Sequence, residues 1–106
     1  MDLRLLRYFV AVAEERHFGR AAARLHMSQP PLSRAIKQLE ADLGAVLLHR
    51  SATGVTLTAA GELLYDEART LLEQAEQVRA RVAAAGASTL TVGTIADSAE
   101  EAGTRL

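Results

Sequence analysis

Met27–Gly44 reads MSQPPLSRAIKQLEADLG, with two adjacent prolines at what the spacing makes a helix start. Leu32, Ile36, Leu39 and Leu43 share one narrow sector of a 3.6-residue wheel, which predicts a helix from Gln29 to Leu43 with one side inward. Gly44 is placed to end it. With Ser28 as N-cap, Gln29, Pro30 and Pro31 are the first three helical residues. A helix start leaves its first N–H groups without intrahelical partners. Proline has no N–H, and its fixed φ suits the first turn. Two orphan donors are therefore removed rather than capped, and the turn is stiff before anything docks on it. Ser28 would ordinarily accept from one of those N–H groups. With both absent, its hydroxyl is left for Gln29, solvent or an outside partner. Arg34, Pro30, Lys37 and Gln38 lie opposite the apolar sector, with Ser33 and Gln29 on the flank. Such a start suits the DNA major groove, where arginine grips guanine and glutamine pairs with adenine. Glu40 and Asp42 at the far end would repel phosphate, so the reading end is the proline end. In isolation, Arg34 and Lys37 are equally well read as a solvated helix face, and the flanking segments have to decide.

Upstream, Leu3, Leu6, Val10 and Ala13 recur at helical spacing, and Leu5, Phe9 and Val12 widen the stripe. This predicts a first helix over residues 3–15. RHFG interrupts it, with Gly19 as a weak N-cap for a second helix whose Ala21, Ala22 and Leu25 point inward. MS is a very short join to the proline helix. Downstream, VLLHR and GVTLT flank SATG, a hairpin pattern. From Thr58 a long helical stretch runs to about Ala85; Gly86 and Ser88 loosen the chain, and LTVGTI is predicted to be a strand. The order is helix, helix, helix, hairpin, long helix, orphan strand. The fold class is mainly α: a winged helix-turn-helix of three helices and a two-stranded wing, followed by a long dimerisation or linker helix. The predicted boundaries are 1–58 for the winged domain, 59–86 for the linker helix and 87–106 for a hinge and strand.

The 106 residues suffice for one small domain and an appended element, and no apolar run is long enough to span a membrane. Cysteine is absent, which excludes disulfides and thiolate metal sites and fits a reducing cytoplasm. The net charge of −1 argues against a nucleic-acid binder, but its distribution does not. Residues 1–58 carry eight Lys and Arg against five Asp and Glu, and residues 59–106 carry four against eight. Any phosphate contact must come from a local patch.

In the long helix Leu64, Ala68, Leu71, Ala75, Val78, Val82 and Ala85 step by alternating fours and threes. That is a heptad pattern over three heptads, which predicts a dimerisation seam. Its many alanines allow close packing and bury little area per residue.

LRYFVAVAEERHFGRAAARLHMSQPPLSRAIKQLEADLG, LLHR and LTAAG together resemble the N-terminal DNA-binding domain of LysR-type transcriptional regulators, over residues 2 to about 86. LTVGTI resembles the first strand of that family's effector-binding domain. The resemblance implies a piece of a bacterial, homo-oligomeric regulator whose small-molecule effector would bind a further C-terminal domain. No cofactor is implied for the residues present. The implied partners are double-stranded DNA, read as an imperfect inverted repeat, and a second copy paired through the long helix. By position, Gln29, Pro30, Ser33 and Arg34 match residues that reach bases or nearby phosphates, and Lys37 and Gln38 match the adjoining face. Ser28 and Pro31 complete this helix start, and Arg50 matches the basic residue where the wing begins. Gly19 departs from the usual Ser or Thr, and Leu48 from a common Phe. Thr53 stands where the wing often carries Arg, so a minor-groove contact there would lack its cation.

An enzyme is the first competing class. His17, His26 and His49 are far apart in sequence, and no phosphate loop or nucleophile elbow accompanies them. A winged-helix adaptor working through the heptad arm is the second. DNA binding should weaken steeply with salt, whereas an apolar coiled-coil contact should not.

Overall fold

The computed structural model describes residues 1–95, with side chains placed through Ala87. Residues 1–72 form one packed unit, and the described residues from 73 onward belong to a second. The elements are α1 (Leu3–Glu15), α2 (Phe18–Arg24), α3 (Gln29–Leu43), β1 (Leu48–Ser51), β2 (Gly54–Leu57) and α4 (Ala59–Ile95).

Helix α1 begins where the Asp2 carboxylate accepts from the Arg4 N–H at 2.8 Å, an N-cap. Leu5, Leu6, Phe9 and Val12 are buried as expected, but Leu3 is exposed at the end of the stripe. α1 stops at Arg16, whose φ of 55° is left-handed. The Arg16 carbonyl then accepts from the Val55 N–H at 3.2 Å, which ties the hairpin to the end of α1. A Cβ on Gly54, at φ 133°, would stand 3.0 Å from that same carbonyl, so the hairpin turn needs glycine there twice over.

The start of α2 differs from expectation. Gly19 is not its N-cap; His17 is, and its Nδ1 accepts from the Arg20 N–H at 3.0 Å. An imidazole can cap a helix only through an unprotonated nitrogen, which makes the neutral Nε2–H tautomer the capping form. Pattern reading favoured Gly19 because histidine is not a usual cap. Gly19 serves close approach instead, since a Cβ on it would lie 2.8 Å from the His17 ring and 3.3 Å from the Gln29 amide.

α2 turns into α3 through His26, a non-glycine residue at φ 57°. The Leu25, His26 and Met27 N–H groups fold back onto the Ala21, Ala23 and Ala22 carbonyls. Ser28 then caps α3 in extended conformation without a side-chain hydrogen bond, as the two prolines require. Leu32, Ile36 and Leu39 are buried and Leu43 is exposed. Gly44, at φ 65°, closes the helix with its N–H on the Ala41 carbonyl. Glu40 is structural, because its Oε2 accepts from the Leu47 N–H at 2.8 Å and so fixes the chain that leaves α3.

β1 and β2 pair antiparallel, Leu48 with Leu57 and Arg50 with Val55. Before α4, Thr58 makes four bonds, one of them from the Glu62 N–H to its carbonyl. Its N–H reaches the Leu47 carbonyl, its hydroxyl donates to the Val46 carbonyl at 2.7 Å, and it accepts from the Gly61 N–H at 3.0 Å. Helix α4 continues through Gly86 and Ser88 to Ile95. LTVGTI is therefore helical rather than the predicted strand. A strand needs a neighbour for its backbone groups, no unpaired strand is available beside it among the described residues, and an alanine-rich helix already in progress gains a bond with each added residue. Residues 96–106 of the predicted hinge segment lie outside the described residues.

The core joins Leu6, Phe9 and Val12 of α1 to Leu32 and Leu39 of α3, with Leu47, Val55 and Ala68 closing it. No polar or charged side chain is buried among the described residues. No described helix is long and apolar enough to cross a membrane.

Candidate nucleic-acid interface

The exposed side of α3 carries Gln29, Pro30, Arg34, Lys37 and Gln38, with Ser28 ahead of them and Pro31 and Ser33 half-buried. Among the described residues, Arg4, Arg20, Arg24 and Arg79 have carboxylate partners. Arg34, Lys37 and Arg50 have none. Cations left unpaired on one face keep their field for an outside anion.

The individual placements refine the sequence reading. Gln29 lies back against Gly19 at the start of α2. Arg34 and Pro31 line an open groove of about 470 Å³ that runs along α3, from Pro31 to Asp42, beside the start of α1. Gln38 donates to Asp42 Oδ1 at 2.8 Å, one helical turn on, so its amide is turned toward the acidic end of the helix. Arg50 is brought to α3: its guanidinium donates to Ser33 Oγ and sits 3.7 Å from the centroid of the Phe18 ring. Thr53 is exposed at the hairpin tip, 3.0 Å from the Ser51 hydroxyl. His17, Gln29, Arg50 and Thr53 together border a cleft of about 250 Å³. Phe18 is the member of this site that pattern reading missed, because an aromatic at the first residue of a short helix reads simply as core.

The first residues of the predicted seam lie against the chain's own core. Ala68 is fully buried in the core of its own domain, and Leu64 packs half-buried against that core. A heptad pattern records which residues avoid water and not which body covers them. Leu71, Val78 and Val82 are 40%, 52% and 66% exposed, and Ala75 is half-buried. Leu63, outside the predicted seam, is 64% exposed.

A polar cluster holds the first turns of α4 to α1. The Tyr65 hydroxyl donates to Glu14 Oε2 at 2.7 Å, and Arg24 reaches Glu14 at 2.7 Å and Glu15 at 3.3 Å. The bond from Tyr65, helped by that from Arg24, holds the Glu14 carboxyl below its ordinary pKa. The same bond to Glu14 pushes the Tyr65 phenol up.

Three helices, a two-stranded wing and unpaired cations on the exposed face of the third helix define a winged helix-turn-helix protein. Residues 3–62 match the family described as bacterial regulatory helix-turn-helix protein, lysR family, and the chain belongs to that family. It is 62% identical over 81 residues to the HTH-type transcriptional regulator XapR of Escherichia coli K12, covering 76% of this chain and 28% of XapR. It is 54% identical over 90 residues to the regulator TfdT of Cupriavidus pinatubonensis, covering 83% of this chain and 40% of TfdT. The chain thus spans well under half the length of either relative. Its fold superimposes with a TM-score of 0.77 and 51% identity on the chain in the crystal structure of a CbnR_DBD–DNA complex, covering 81% and 99% of the two chains. A BenM_DBD/catB site 1 DNA complex gives a TM-score of 0.78 at 44% identity, covering 81% and 97%.

Proposed function

We propose that this chain binds double-stranded DNA sequence-specifically as the reading head of a bacterial transcriptional regulator. Helix α3 enters the major groove by its proline end, and the wing lies near the minor groove. Two copies joined through α4 bind an imperfect inverted repeat. In the whole protein a small-molecule effector acts through a further domain. The observation that carries this reading is the face of α3: Gln29, Pro30, Arg34 and Lys37 exposed on a stiffened first turn, with Arg50 drawn up beside Ser33. The likeness to chains in complex with DNA supports it.

The roles divide by chemistry. Arg34 presents a planar fork of donors that matches guanine O6 and N7, whereas Lys37 is a point charge suited to phosphate. Duplexes selected from a random pool supply the test. Arg34→Ala should weaken the selected site by ~1–3 kcal/mol and relax one position per half-site, whereas Lys37→Ala should weaken all sequences about equally. Equal losses on selected and random DNA for both variants would reduce α3 to a non-specific phosphate contact. Selection that enriches no sequence would overturn the reading as a whole.

A further inference from the structure

Arg50 is a charged residue on the inward face of the wing. Leu48 and Arg50 share one side of β1 by strand alternation, Leu48 is buried, and Arg50 pairs across the hairpin with buried Val55. Arg50 itself stays exposed, and among the described residues no carboxylate pairs with it. The guanidinium instead lies over the face of Phe18, 3.7 Å from the ring centroid, and donates to Ser33 Oγ. Phe18 is itself fixed, 7% exposed at the first residue of α2 directly after the His17 cap. Clefts open on both sides of the pair, one toward Gln29 and Thr53, the other toward Lys37 and Glu40.

From this geometry we infer that Phe18 is a positioning residue for DNA recognition: its ring is the platform that holds Arg50 across to Ser33, strapping the wing to the reading helix before DNA arrives. The inference rests on the DNA-binding reading above and extends it to a residue buried beneath the wing cation. The negative face of an aromatic ring attracts a guanidinium placed over it. Arginine carries many rotamers in solution, and freezing them is part of what association costs. A guanidinium already stacked and bonded has surrendered that freedom on folding. The strap also gives one lone pair of Ser33 to Arg50, so Ser33 reaches the groove with its hydroxyl partly committed. The wing cation and the serine then act as one unit.

The strap predicts a signature that charge alone does not. Phe18→Leu keeps every cation, so the dependence of log affinity on log salt should keep its slope. Affinity for the selected duplex should nevertheless fall by about two- to tenfold per subunit, the factor for ordering one long side chain at binding. Arg50→Ala should lower both affinity and slope. In an Arg50→Ala background, Phe18→Leu should have no further effect. Pentafluorophenylalanine at position 18 keeps the ring's shape while withdrawing its negative face, and it guards against a leucine variant that fails to fold. It should weaken binding as leucine does. The Arg50 side-chain proton resonances should be shifted upfield by the ring in the native protein and relax in the leucine variant.

Unchanged affinity of the pentafluoro protein would overturn the proposal. So would tighter binding, which would mean that Arg50 must leave the ring to reach DNA, and so would a Phe18→Leu loss that persists without Arg50. A native protein that binds no duplex would refute the DNA-binding reading, and the proposal with it. A native protein that binds normally while the position 18 variants match it refutes the strap alone.

Discussion

Gly61 and Gly86 both sit inside α4, and the same substitution should act on them in opposite directions. A Cβ on Gly61 would stand 2.1 Å from the Leu47 carbonyl oxygen, 3.1 Å from its carbon and 3.4 Å from its Cα. Backbone on both sides blocks the usual escape of a bent side chain. The first turn of α4 must shift, and the bonds that seat it go with the movement: Thr58 N–H to Leu47 and Thr58 hydroxyl to Val46. Two such bonds contribute about 1 kcal/mol each, and the strain of overpacking adds ~1–3 kcal/mol. The better helix propensity of alanine returns about 1 kcal/mol. Gly61→Ala should therefore destabilise the winged domain by roughly 2–4 kcal/mol. At ~4–8 °C per kcal/mol for a domain of this size, Tm falls by tens of degrees at the upper end. Nothing lies within 4 Å of a Cβ at Gly86, so there only propensity acts, and Gly86→Ala should raise helix stability by up to about 1 kcal/mol. Urea unfolding followed by circular dichroism measures both. A Gly61→Ala protein as stable as its Gly86→Ala counterpart would show that the Leu47 carbonyl yields easily, and that the seat of α4 has been misjudged.

Tyr65→Phe should remove a pH dependence at the alkaline end of the scale and weaken one at the acid end, where Arg24 still acts on Glu14. Glu14 is held below its ordinary value, so its share of stability is present above pH ~4.5 and fades as pH falls through the lowered folded value. Tyr65 is pushed above its ordinary value, so its share is full below pH ~10 and fades as pH rises through the raised one. Because the pair is largely open to water, the loss at neutral pH should stay below about 1 kcal/mol; an acid limb in Tm against pH identical to that of the native protein would refute the assignment. Thr53→Arg adds one cation per wing and should steepen the log–log salt slope of a dimer by roughly two, more visibly on A·T-rich flanks; an unchanged slope would place the hairpin tip away from DNA. Leu71→Glu with Val78→Glu charges the exposed part of the proposed seam, where an unpaired buried charge is costly, and sedimentation should find monomers; a persistent dimer would assign the contact elsewhere, Leu63 being the next apolar residue to test.

Local periodicity carried most of the architecture. The bounds of α1 and α3, the hairpin around SATG and the uncapped serine before the prolines follow from residue spacing and from proline's missing N–H, which are properties of neighbours in sequence. What spacing could not reach was set by distant backbone. Gly61 belongs to the LTAAG stretch on which the family resemblance partly rests, yet its reason is a carbonyl fourteen residues earlier. His17 caps α2 in place of Gly19 because its ring is close enough to turn onto the Arg20 N–H. Ala68 fitted a heptad equally well whether its cover was another copy or its own domain, and the core took it. At the candidate interface, the exposed residues of α3 were legible, while the stacking of Arg50 on Phe18 joins residues thirty-two positions apart and left no trace in any local pattern.

The left-handed conformations of Arg16 and His26 bear on how far this sequence can change. Both turns that flank α2 are built on side-chain-bearing residues where glycine would sit without strain, and each such residue gives up about 1–2 kcal/mol. Glycine at either place would recover part of that, less what it loses by loosening the unfolded chain. The sequence therefore has unused margin at two positions outside the exposed face of α3. Mutations that retune α3 toward a new operator usually weaken a fold. Here a single compensating step at His26, three residues before α3 begins, absorbs one of them, which makes the turn a natural first site to sample when new binding specificities are evolved in the laboratory.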